Sequence, residues 1–356
     1  MGAGCSAVCT RAVNAGGAAE KGSVAMVPVG KADITDSDVL AVFRAGRAKI
    51  RDGTIEFEGR SRPLDAGQEA RMKAAIDYID DDSKAVAGKW SALTWTSVQG
   101  SAVATLLMPS TIHQGGTTLC GAVTVLEAMA MHRPMLYARL VLAVWNGRVE
   151  TWDGKPWGDT PALKPELLAA SPPDSITANS IADWMTATAM IAELKDQSFF
   201  RDLLGHDDYL GQDAHGPDGA TIDHARGLTT AWDVSKFIRD LLGCASTRRE
   251  LSYWAAREAP LNQVLDLTST GALERGTDVV IMLISDTLWR DCEYYPAAAD
   301  KPGWYTPQHW VRLRSIEDVG GGMLTVKVFS FGEVQSRELS RAGFGRLVFE
   351  FIFGSF

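Results

Sequence analysis

Gln114-Gly115-Gly116-Thr117-Thr118-Leu119-Cys120, running on into Gly121-Ala122-Val123-Thr124-Val125-Leu126, is the stretch whose reading decides the fold. An amide side chain stands six residues before a cysteine, and that cysteine opens an apolar, helical segment. A thiol at a helix N-terminus sees the positive end of the macrodipole, which favours thiolate over thiol. The Gly115-Gly116 pair lets the backbone turn tightly just ahead of it. A glutamine in such a loop can donate its side-chain N–H to an oxyanion, beside the backbone N–H of the cysteine. Cys120 is therefore the candidate nucleophile and Gln114 the candidate oxyanion donor. The competing reading is an inert core thiol next to an ordinary loop amide.

Cysteine chemistry of this kind takes its general base from a histidine far away in sequence. Pro307-Gln308-His309-Trp310-Val311-Arg312-Leu313 puts His309 at the start of a strand-like run. Gly320-Gly321-Gly322 reads as a turn, and Leu324 to Glu333 alternates as the return strand. A hairpin turning there sets positions 330–333 opposite His309. His113 adjoins Gln114, and its place on the nucleophile loop predicts surface exposure rather than a role as base.

Composition narrows the classes. With 356 residues and 46% hydrophobic residues the chain can bury a sizeable core as one large or two ordinary domains. Eleven tryptophans argue against disorder for most of it. A net charge of −9 without a basic run argues against nucleic acid or an anionic membrane as partner. Five cysteines (Cys5, Cys9, Cys120, Cys244 and Cys292) with no C-x-x-C pair fit a reducing compartment and give no zinc pattern. No apolar run reaches the ~18 residues of a membrane span. The N-terminus lacks a Sec-type signal. Met1-Gly2-Ala3-Gly4-Cys5-Ser6 fits an N-myristoylation pattern with Cys5 as a second acylation site, against the bland reading of a small-residue tail.

Along the chain, residues 1–30 read as a disordered tail and 31–105 as an N-terminal region of unknown role. That region holds a helix over Val39–Lys49, a short hairpin at Arg51–Arg62, an amphipathic helix at Asp65–Asp80 and a strand at Trp90–Val98. Helices follow at Cys120–Met131, where Glu127 is the only charge, and at Met135–Trp145. Residues 151–175 look irregular, and further helices are expected at Asn179–Leu194, Thr230–Leu242 and Ala245–Ala259. Val279–Ile284 is the clearest buried strand, and Arg290–Pro307 reads as an aromatic loop. His206, Asp207, Asp208, Asp213, His215, Asp223 and His224 raise the idea of a metal site, but their spacing matches no ligand pattern and a solvated loop is the better reading. Asp183-Trp184 reads as a helix start with a packing tryptophan. Helices first and an antiparallel sheet last make the class α+β.

The ordered set of Gln114-x5-Cys120, then His309, then Ser330-Phe331-Gly332 resembles the papain-like (clan CA) cysteine peptidases. Arg133-Pro134-Met135-Leu136-Tyr137-Ala138, Asp183-Trp184-Met185, His309-Trp310-Val311 and the aromatic stretch Phe344–Phe356 are similar to segments of bacterial papain-like secreted toxins and effectors. The likeness covers roughly residues 110–356. It implies a catalytic domain at 106–356, with an insertion at about 150–275 that shapes substrate recognition. It also implies that the residue orienting His309 lies beside the Ser-aromatic-Gly tripeptide. Phe329 stands where the family carries asparagine and cannot orient an imidazole. Ser330 is the preferred substitute and Glu333 the charged alternative.

The function expected is a thiol-dependent hydrolase working through Cys120 and His309, with no cofactor and no metal. It would be a cysteine peptidase made in the cytoplasm and exported without a Sec leader as a bacterial effector. Its partners would be a protein or peptide substrate in a target cell and a cognate immunity protein or chaperone. A deamidase or transglutaminase would use the same dyad. The alternative class is a non-enzymatic binding module on the same scaffold, for which the missing asparagine is the support.

Overall fold

A computed structural model of the chain describes residues 54–57, 60–86, 89–113, 119–158, 162–197, 229–251, 258–300 and 307–356. The expected tail, the Val39–Lys49 helix, the acylation pattern, Gln114 with its glycine pair, and the His206–His224 segment lie outside these residues.

The described chain opens with β1 (Thr54–Phe57) and β2 (Arg60–Pro63), the expected antiparallel hairpin. Helix α1 (Ala66–Ile79) starts on a capping box, in which Asp65 accepts from the Gln68 backbone and the Gln68 side chain accepts in return. Its Met72, Ala75, Ile76 and Ile79 recur at helical spacing and are buried. The strand expected at Trp90–Val98 is instead the lead into α2 (Trp95–Leu107). Thr94 caps that helix by accepting from the Ser97 N–H, a start signal that outweighs the β-preference of the aromatic and Thr residues.

Helix α3 (Cys120–His132) and α4 (Pro134–Trp145) follow as expected, the second opened by Pro134 in its first turn. After the short α5 (Pro165–Leu168) comes α6 (Ile181–Gln197). Helix α7 (Ala231–Lys236) runs on as a π-helical turn, Phe237–Leu241. The helix expected over Ala245–Ala259 is corrected: β3 (Ser246–Leu251) occupies its first part, pairs with the last strand, and is followed by α8 (Glu258–Ser269) and α9 (Ala272–Arg275). β4 (Asp278–Ile284) is the buried strand anticipated at 279–284. The loop expected from Arg290 is also corrected, because α10 (Asp286–Tyr294), capped by Ser285, and a 3-10 turn at Pro296–Asp300 precede the strand of His309.

The C-terminal region is β5 (His309–Gly320), β6 (Met323–Ser330), β7 (Glu333–Ser340), α11 (Arg341–Leu347) and β8 (Val348–Ser355). The return strand ends at Ser330 and not at Glu333, and β7 is a third strand beyond a turn at Phe331-Gly332. The six-stranded sheet has the order β3-β8-β4-β5-β6-β7, with every neighbouring pair antiparallel. The aromatic C-terminal stretch is thus a central strand, with Phe351 and Ile352 fully buried.

Helices occupy the N-terminal half and the antiparallel sheet the C-terminal part, so the molecule is α+β. The sheet is covered on both faces. Val279, Ile281, Trp310, Phe329 and Ile352 pack with α1, α2, α3, α4 and α6 in one core. Val280, Met282, Val311, Val328 and Phe351 pack on the other face with Leu261 of α8, Trp289 of α10 and Phe344 of α11. Helices α1 and α2, expected as a region apart from 106–356, share the core of α3.

Candidate active site

Cys120 is the first residue of α3 and is only 5% exposed. Leu119 precedes it as N-cap and makes no side-chain capping bond. The next residue must be glycine. A Cβ on Gly121 would collide with Oγ1 of Thr229, which is itself buried. The Thr229 carbonyl accepts the indole N–H of Trp310 at 2.9 Å. One threonine thus fits against the helix of Cys120 and holds the residue after His309.

His309 opens β5, paired to Ile284 of β4, and is 5% exposed. Its Nε2 lies 2.9 Å from Ser330 Oγ at the end of β6. Phe331 then stacks on the imidazole, with ring centroids 4.1 Å apart and planes 7° from parallel. Among the described residues Phe331 is the one non-glycine with positive φ, at 48°, and Gly332 follows at 82°. Both central residues of this two-residue hairpin turn therefore have the sign a type I′ turn requires, a turn that ordinarily takes Asn-Gly. Gly332 is pressed between strand and loop, since a Cβ there would meet His113 Cδ2 at 3.1 Å and the Ile112 carbonyl at 3.2 Å. The Arg290 guanidinium sits 5.6 Å from the Phe331 ring centre and pairs with Asp286 at 2.8 Å. Burial, helped by the Arg290 charge, pushes the His309 imidazole down to about 3, so it is neutral at any ordinary pH.

Cys120, His309 and Ser330 line one small cavity of about 10 Å³, together with Ile112, Val123, Thr124, Trp310, Phe329 and Phe331. That is about the space of a single water. Of the residues singled out from sequence, the structure brings Cys120, His309 and Ser330 together. Gln114 lies outside the described residues. Glu333 is exposed at the start of β7; it accepts from Gln335 Nε2 at 2.8 Å, and its charge acts on His113. His113 is not the exposed residue expected. It is half-buried against Gly332, and burial pushes its imidazole down. Arg290 and Thr229 were not foreseen, because each reaches the site from an element distant in sequence with no local pattern.

A second polar cluster joins α3 to β5. Glu127 is fully buried and forms ion pairs with Arg312, which is 2% exposed, and with Arg314 at 3.1 Å. Arg312 Nη2 donates to Glu127 Oε1 at 3.0 Å, and its Nη1 donates to His132 Nε2 at 2.7 Å. Asp183, also fully buried, has no such cation beside it among the described residues; it accepts from the Tyr137 hydroxyl at 2.6 Å and the Thr105 hydroxyl at 2.7 Å. Burial pushes its carboxyl up to about 7 against the pull of those two bonds. Cys244 and Cys292 are also free thiols, and burial raises both, Cys244 to about 12.

Among the described residues no group of three or more His, Cys, Asp and Glu is placed to hold a metal ion, and no helix is long and apolar enough to cross a membrane. No family model matches the chain, and no curated protein matches its sequence.

Proposed function

We propose that this chain is a thiol-dependent hydrolase on a papain-like scaffold, working through Cys120 and His309 as a cysteine peptidase. The observation that carries the reading is the shared cavity: a cysteine at the first turn of a helix and a histidine at the first residue of a strand line it together, with Ser330 on His309 Nε2. In the productive tautomer Nε2–H donates to Ser330 Oγ, which leaves Nδ1 with its lone pair for the thiol proton. The imidazole is held neutral at rest. The proton moves from Sγ to His309 as sulfur attacks the carbonyl carbon. The oxyanion is met by the Cys120 N–H at the helix start, and Gln114 is the side chain proposed to join it. His309 then protonates the leaving amine, and water releases the acyl group from sulfur. An amine in place of water would make the reaction a transglutamination, and a side-chain amide as substrate would make it a deamidation. The same reading includes export as a bacterial effector, with a protein substrate in a target cell and a cognate immunity protein or chaperone.

One observation favours a second reading, a binding module without catalysis. Cys120 and His309 are both nearly closed off, and the cavity they share holds little more than a water. The two readings part on one experiment. Lysates of candidate target cells are incubated with wild type and with Cys120→Ala, and new protein termini and deamidated side chains are mapped. Modification that depends on Cys120 is expected; toxicity retained in a folded Cys120→Ala protein, with no modified sites, selects the binding module.

A further inference from the structure

We propose that Arg290 is a positioning residue for His309: anchored by Asp286, its guanidinium holds Phe331 flat on the imidazole and keeps the ring turned with Nε2 on Ser330. This rests on the Cys120–His309 reading for its purpose, though the contact itself does not.

Three features of the molecule converge on it. Both groups meet the same ring, with Arg290 5.6 Å from the Phe331 ring centre and Phe331 4.1 Å from the imidazole. A cation over an aromatic face is attracted by the ring quadrupole, so the guanidinium pulls the ring into a fixed plane. Arg290 is itself held, one helical turn from Asp286 on α10, at 2.8 Å from a carboxylate that is nearly buried. Finally, the chain accepts a left-handed backbone at Phe331, φ 48°, where asparagine or glycine would be unstrained. Such strain persists when the side chain is needed at that spot.

The clamp also has an electrical side. Burial lowers the His309 imidazole, and the Arg290 charge adds to this by disfavouring a second positive charge there. Among the described residues, the other titratable or charged groups around His309 are Cys120 on α3, Asp286 on α10, and His113 with Glu333 at the neighbouring turn. Asp286 pairs with Arg290 and Glu333 acts on His113, while burial and Arg290 are the causes that lower His309.

The test uses the full chain and needs no substrate. The His309 imidazole is titrated by NMR in wild type, Arg290→Gln and Arg290→Lys, each checked for folding by its melting curve. Cys120 is alkylated with iodoacetamide across the same pH range; sulfur bonds to the methylene carbon, iodide leaves, and the thiol proton passes to His309 or solvent. Arg290→Gln should raise the His309 midpoint by about one unit, and so raise the alkylation rate below neutral pH by up to about tenfold through a larger share of thiolate–imidazolium. Arg290→Lys keeps the charge and should leave the midpoint near that of wild type, while the imidazole resonances broaden or shift as the flat contact loosens. A midpoint and imidazole resonances unchanged in both variants would overturn the clamp, whatever Cys120 does. Should the clamp respond as expected while Cys120→Ala leaves toxicity intact, the contact stands and the hydrolase reading falls.

Discussion

At its first turn, helix α3 presents Cys120 to the cavity at the start of strand β5; two turns further along, it presents Glu127 to Arg312 of the same strand. The same helix and the same strand thus meet through two polar encounters of opposite character. At Glu127 the charges are buried outright, and they are tolerable because one carboxylate is shared by two guanidinium groups and His132 takes a further N–H. At His309 the charge is removed instead: burial and Arg290 keep the imidazole neutral. A full ion cluster has one geometry that satisfies it, so it holds helix and strand in register. A neutral imidazole can take up a proton without moving. On the proposed reading, the rigid encounter holds the two elements so that the Cys120–His309 encounter need not be held by charges of its own.

The largest expected effect is on reactivity and falls at the first encounter alone. Cys120→Ala should lower any hydrolytic or toxic activity by roughly 10⁴-fold or more, the scale on which loss of a nucleophile acts. Its melting curve should move little, since the lost atom sits at a helix end and costs on the order of 1 kcal/mol. The comparison breaks if this variant unfolds, for then Cys120 is a packing residue like Cys244.

Next comes the second encounter, read by stability. Glu127→Ala leaves Arg312 buried and without its counter-ion, which costs about 3–5 kcal/mol. Denaturant unfolding should show a matching drop in midpoint, and Cys120 should lose its distinctive alkylation profile with the register. A loss under about 1 kcal/mol would mean that Arg312 finds another partner or water, and that the cluster does not set the register.

Another buried carboxylate, Asp183, sharpens the contrast because its bonds come from the Tyr137 and Thr105 hydroxyls. Asp183 is pushed up to about 7 by burial, whereas an unfolded aspartate titrates near 4. Between those values the folded protein holds a proton that the unfolded chain has released. Stability is therefore fully present below about pH 4 and is lost as pH rises toward 7, by about 1.4 kcal/mol per unit. Asp183→Asn should flatten that slope and be the more stable form near pH 8. A slope unchanged in the variant would show that Asp183 is ionised in the fold.

What the sequence disclosed follows the range of the interactions. Local signals sufficed for the amphipathic helix expected at Asp65–Asp80, the Gly320–Gly322 turn, the Cys120 helix start and the strand opened by His309. The Ser330 contact was readable because a hairpin fixes its own register. Glu127 stood out as the one charge in an apolar helix, but its partners come from β5, and no pattern names a contact that distant. β8 was hidden because a central strand buried on both faces loses the alternation that marks a half-exposed strand. β7 was hidden because Phe331-Gly332 does not look like the turn it makes. The strand at β3 was read as helix because its arginines and glutamate fit an exposed helix face as well as a sheet edge.

Phe331 gives the smallest change in stability and the sharpest test of why the reactive encounter is built as it is. Its left-handed backbone costs roughly 1–2 kcal/mol for a residue with a Cβ, and asparagine is the natural occupant of that turn position. Phe331→Asn relieves the strain and gives up a half-buried ring, two effects of similar size and opposite sign. The melting temperature should stay within a few degrees of wild type, while activity falls about tenfold and the His309 midpoint moves toward its ordinary value. The activity falls because the imidazole loses the surface that holds it in plane; the midpoint rises because water reaches the ring. A variant that melts much earlier, yet keeps the wild-type rate and His309 midpoint, would make Phe331 a structural plug. The strain at this turn would then serve packing, and the two encounters of α3 with β5 would no longer differ in kind.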